Sequence, residues 1–179
     1  RNYSGGGLMV KKEFYENPRI PRYPNTGFQK ALNLFSILAL VLTFLYPLLK
    51  WNQIPDTIIT HWGFSGQPDG WGPKGTIWII PVVSLVLYLP LTIMERFPSI
   101  WNVPVRTTHK NQKWVYQNIK TMLILMKFLM TAEFAVITYH SVQEKNLSTL
   151  HTVLFLVFLF GSMIFFIIRS VRKPPENYR

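Results

Sequence analysis

The chain has no cysteine among its 179 residues. That excludes a disulfide framework, a thiolate nucleophile and any cysteine-based zinc site. Acidic residues are scarce: eight Asp and Glu stand against 19 Lys and Arg, a formal charge of +11. Such a surplus can serve to neutralise phosphates. Here the basic residues cluster beside long apolar runs, so no nucleic-acid partner is expected. The glycines at 63, 66, 70, 72 and 75 do not sit in the strand–loop–helix context of a phosphate loop. No Ser or Thr lies in a recognisable nucleophile motif, no internal repeat is visible, and no cofactor or metal set is indicated.

Apolar sequence is what the chain has in abundance. Four segments, Ala31–Leu49, Thr76–Met94, Thr121–Tyr139 and Leu150–Ile168, are almost free of charge. Each is about 19 residues long, enough for a helix to cross roughly 30 Å of hydrocarbon. Lipid offers the backbone no hydrogen-bond partners, so spanning segments of this kind are helical. The expected fold class is an all-α integral membrane protein, a bundle of four transmembrane helices over residues 31–168. Residues 1–30 form a basic, proline-containing tail, and residues 169–179 a second basic tail. Residues 1–8 read either as a linker ahead of a start at Met9 or as a native tail.

Lys and Arg in the flanks set the orientation. Their counts before, between and after the four segments are six, two, five, one and four. This alternation predicts both termini and the middle connection inside, and the 50–75 connection outside. The third span carries Lys127, Glu133 and His140. A charge at mid-membrane costs about 2.5–3.5 kcal/mol even on a lenient scale, so these three should face the bundle or a polar cavity. The fourth span is nearly all Leu, Phe, Val and Ile, with Gly161-Ser162 as an expected close-packing point. Thr107 or Thr108 is expected to cap a helix beginning near His109, with Trp114 and Tyr116 near the interface.

The outer connection is the distinctive stretch. Residues 61–74 hold four glycines, two prolines and two tryptophans, with His61, Asp69 and Lys74. Gly and Pro at that density shape a backbone rather than slacken it. Gln67-Pro68-Asp69-Gly70 reads as a turn, with Gly70 at a positive φ. Pro55 with the following Thr-Ile-Ile-Thr reads as the opening of a short helix or interfacial segment. The tryptophans predict a loop lying on the bilayer.

Ile54-Pro55-Asp56, Thr60-His61-Trp62, Gly66-Gln67-Pro68-Asp69-Gly70-Trp71-Gly72 and Lys74 resemble the signature of a bacterial membrane domain of unknown function. That domain is known from the SdpI-type immunity proteins, which protect cells from the sporulation-delaying toxin. Phe97-Pro98 and Asn102-Val-Pro104-Val extend the likeness. Trp62-Gly63 replaces the family's Phe-Asn, and Pro73 stands where Ser is common. The resemblance implies a bacterial cytoplasmic-membrane protein that is not an enzyme. It would bind or sense an extracellular peptide or amphiphile through residues 54–75, with His61, Asp69, Trp71 and Lys74 as contact residues. Pro55, Gly66, Pro68, Gly70, Gly72, Asn102 and Pro104 would shape the motif. Two other readings stay open: a small transporter or subunit of a membrane complex using Lys127, Glu133 and His140, and an interfacial hydrolase using His61 and Asp69.

Overall fold

The computed structural model describes residues 22–172 and residue 174; the expectations for the 1–21 tail and for the extreme C-terminus lie outside it. Four long helices make the frame: α1 Gly27–Lys50, α2 Ile79–Arg96, α3 Gln112–Val142 and α4 Thr149–Val171. With their short 3-10 extensions, all four are long and apolar enough to cross a membrane. α1 begins four residues before the apolar run because Thr26 and Gln29 form a capping box. The Gln29 amide donates to Thr26 Oγ1 at 3.2 Å, and the Thr26 amide donates to Gln29 Oε1 at 3.0 Å.

α3 is the longest helix and the centre of the bundle, packing against α1, α2 and α4. The frame is inverted relative to a water-soluble protein. Leu42 and Leu49 of α1, Val86 of α2 and Phe158 of α4 face outward, while Gln29, Ser36, Thr43, Lys127, Thr131 and Thr138 are buried. Lipid is as apolar as leucine, so helix contacts there favour small and polar residues that pack closely and hydrogen-bond. Several of the buried hydroxyls bond back onto their own helices, as in Ser36 Oγ to Leu32 O (2.7 Å) and Thr43 Oγ1 to Ala39 O (2.8 Å). This burial pattern belongs to a multi-pass membrane protein.

Several expectations need correction. α3 starts at Gln112 rather than near His109, because Asn111 occupies the cap position and its Oδ1 accepts from the Thr108 amide at 2.6 Å. Trp114 and Tyr116 are buried within the protein, since the 97–111 connection folds over them and Trp101 packs on Tyr116 at 5.8 Å. Gly161 is no close-packing point: a Cβ there would meet nothing within 4 Å.

The largest departure concerns the 50–75 connection. Thr57–Trp62 is a strand, β1, not a helical opening, and Pro68–Pro73 is its antiparallel partner, β2. Two β-branched isoleucines between threonines suit a half-buried pleat, and pairing with β2 decides the matter. The reversal therefore lies at residues 63–67, and Gln67-Pro68-Asp69-Gly70 enters a strand instead of turning. Gly66, not Gly70, has the positive φ, at 77°.

Candidate functional site

The hairpin rests on a small apolar base. Ile54, Ile58 and Ile77 are buried together with Val142 at the end of α3, flanked by Tyr46, Trp51 and Trp78. Full burial of one such isoleucine contributes about 1.5–3 kcal/mol. Ser141 of α3 adds a polar tie, its hydroxyl donating to Ile59 O at 2.5 Å.

A second set of ties binds the hairpin to the α3–α4 connection. α3 ends in a Schellman turn: the Lys145 amide donates to His140 O at 3.0 Å, with Glu144 in the left-handed region at φ 50°. The turn delivers residues 145–149 to the hairpin tip. There Trp62 Nε1 donates to Lys145 O (3.1 Å), Asn146 Nδ2 to Gln67 Oε1 (3.0 Å) and Thr149 Oγ1 to Ser65 O (2.9 Å). The Leu147 amide donates to Gly66 O at 3.0 Å. Hairpin and connection thus form one cap over one end of the bundle. Lys145 Nζ in turn donates to the Tyr139 hydroxyl at 3.0 Å, which raises the lysine pKa above its ordinary value.

The cap brings His61 and Asp69 together. A register irregularity on either side of His61 sets it opposite Gly70, and its Nδ1 bonds Asp69 Oδ1. Gly70 suits this close approach: a Cβ there would stand 3.0 Å from His61 Cβ, tight enough that the strand would have to give slightly. The pair is open to solvent, with side-chain exposures of 71% and 53%. Exposed ion pairs contribute only about 0–1 kcal/mol, so this one is not what holds the hairpin. Trp71 and Phe64 are also exposed, at 60% and 75%. Lys74 does not join Asp69; its ammonium lies 4.5 Å from the ring centre of Trp51, which stacks on Trp78. Pro55 precedes β1, and Gly72 pairs with Ile58. Asn102 and Pro104 lie in the connection at the far end of the bundle.

The intramembrane residues do not form one path. Lys127 Nζ donates to Glu95 Oε2 of α2 at 2.7 Å. Glu133 pairs with His151 Nε2 of α4 at 2.9 Å. His140 belongs to neither pair; its ring meets Tyr139 edge-on, and its buried Nδ1 has no hydrogen-bond partner among the described residues. Glu95 and His151 are functional candidates that sequence reading missed. Each sits at a helix end, where a polar residue is unremarkable, and nothing local marks its partner. Among the described residues, no group of three or more His, Asp or Glu gathers as a metal site would.

Comparison with known proteins places residues 38–85, from mid-α1 through the hairpin into α2, in a domain of unknown function, DUF1648. An uncharacterized protein of Archaeoglobus fulgidus is 28% identical over 170 residues, covering 79% of this chain and 91% of its own. The immunity protein SdpI of Bacillus subtilis is 28% identical over 97 residues, covering 54% of this chain and 42% of SdpI. The chain thus spans less than half the length of SdpI. No solved structure matches. The inverted burial of the helices and the matched segment together fit a small four-span membrane protein with a segment similar to DUF1648 and a distant similarity to a toxin-immunity protein.

Proposed function

We propose that this protein is a non-enzymatic membrane receptor or shield for a membrane-active peptide or similar amphiphile, which it meets at the hairpin cap. The observation that carries this reading is the pairing of exposed aromatics with an exposed polar pair on a pinned scaffold. Phe64 and Trp71 are solvent-facing on the same hairpin as His61–Asp69. An amphiphile offers such a surface an apolar side and a charged side, and aromatic anchors on rigid elements are common sources of binding energy. The alternation of Lys and Arg supports placing this cap outside and both termini in the cytoplasm. Similarity to SdpI supports the toxin-directed role.

The test is survival of a sensitive bacterial host expressing the full chain, challenged with a panel of membrane-active peptides. Trp71→Ala, removing a central aromatic anchor worth about 2 kcal/mol, is expected to weaken protection roughly thirtyfold. Asp69→Ala should reduce it too, with both variants at wild-type membrane levels. Unchanged survival in both would remove the hairpin from the function. Loss confined to Glu133→Gln would instead favour the transporter reading, in which Glu133 and His151 form a polar relay.

A further inference from the structure

The end of the bundle opposite the hairpin cap contains a cavity of about 360 Å³, lined by residues from the 22–25 segment, α1, α2, the 97–111 connection and α3. Its charges are unbalanced. Among the described residues, Arg22, Arg96, Lys120 and Lys127 line it against one carboxylate, Glu95. That carboxylate is already engaged: Oε1 accepts from Asn25 Nδ2 (3.2 Å) and Asn33 Nδ2 (2.9 Å), and Oε2 accepts from Lys127 (2.7 Å). Lys127 is matched by this pairing, so Arg22, Arg96 and Lys120 leave the cavity with a positive excess. A concave site with surplus cations favours an anion.

A second feature refines the ligand. Asn33 Oδ1 is buried and has no hydrogen-bond partner among the described residues. Its orientation is set by the network, because Nδ2 must face Glu95. A buried acceptor left open costs free energy until a donor reaches it. The cavity therefore suits a ligand carrying an anion and a hydroxyl side by side.

We propose that this cavity binds a glycerol-bearing phosphate ester, with the phosphate between Arg96 and Lys120 and a glycerol hydroxyl donating to Asn33 Oδ1. Such a group is available as a phosphatidylglycerol headgroup or as a soluble glycerol phosphate. The cavity lies where α1 begins and α2 ends, at the depth where a spanning helix meets headgroups. Lys120 is held there by donating to Tyr23 O at 2.9 Å. Arg96, at the exposed rim, can swing toward a phosphate without disturbing the core.

The test uses the purified full chain in neutral detergent, titrated calorimetrically with short-chain phosphatidylglycerol, the matching phosphatidylcholine and glycerol 3-phosphate. Phosphatidylglycerol is expected to bind at least about tenfold more tightly than phosphatidylcholine. Arg96→Gln should lose about fivefold and Arg96→Gln with Lys120→Gln roughly thirtyfold, whereas Lys110→Gln, outside the cavity, should bind normally. Binding of the lipid alone assigns the site to a headgroup; equal binding of glycerol 3-phosphate assigns it to the soluble ester. Equal affinity for the two lipids, failure of both glycerol ligands to bind, or binding undiminished in the rim variant Arg96→Gln overturns the proposal.

Discussion

Lys127→Met is expected to lower the stability of the detergent-solubilised chain by about 3–5 kcal/mol, the range for breaking a buried ion pair from one side. Lys127 is 1% exposed, and its ammonium bonds Glu95 at 2.7 Å and Thr92 at 3.3 Å. Removing it leaves Glu95 ionised between two asparagine amides, in a place water reaches poorly, or forces a proton onto it. Removing both partners is a different operation. In Glu95→Leu with Lys127→Met the charges leave together, and the double variant should recover most of the loss. Equilibrium unfolding in mixed micelles measures both. If the double variant were as unstable as the sum of the single ones, the pair would not be an isolated electrostatic unit.

Gly66→Ala is the second large effect, acting at the other end of the molecule. A Cβ at Gly66 would lie 1.7 Å from Leu147 O, and the residue's φ of 77° disfavours side chains in any case. The backbone term alone costs about 1–3 kcal/mol. The clash is with a main-chain oxygen, so no rotamer relieves it. The hairpin is expected to lift from the 145–149 connection, breaking the Leu147–Gly66 and Thr149–Ser65 bonds. Hydrogen exchange should accelerate across residues 57–73 and 145–149, leaving α1 and the half of α3 remote from the hairpin protected. Gly75→Ala is the control, because a Cβ there meets nothing within 4 Å. Equal exchange in the two variants would show that the cap is not docked as described. If the hairpin face receives the peptide, Gly66→Ala should also reduce protection at normal expression.

These two sites differ in how legible they were. Lys127 stood out because a charge within an apolar run demands an explanation, and the run's hydropathy is a local property. Its partner is 32 positions away on another helix. No periodicity in α3 distinguishes Glu95 from any other charged residue at a span's end, so the pair became visible only when α2 packed on α3. Glu133 behaved the same way: the residue was conspicuous, its partner His151 was not.

In the 50–75 connection local signals were overruled. Gln67-Pro68-Asp69-Gly70 has strong turn chemistry, and Thr57-Ile-Ile-Thr60 is short enough to suit several conformations. Burial of Ile58 and Ile59 against the end of α3 selected extended chain, and the hairpin register then required the reversal at 63–67. His61 and Asp69, eight positions apart, were legible as joint candidates, and the register irregularity beside His61 is what brings them into contact. Lys74, a candidate from the same signature, lies over Trp51 and apart from the pair.

By itself the sequence determined the number of spans, their helical state and the identity of the signature segment. Those properties follow from runs of neighbouring residues that must satisfy their own backbone in lipid. Only the tertiary structure decided which polar groups meet, where the chain reverses and what the cap rests on. Each of those depends on residues far apart in the chain, brought together by helix packing and strand pairing, and no local pattern carries that information.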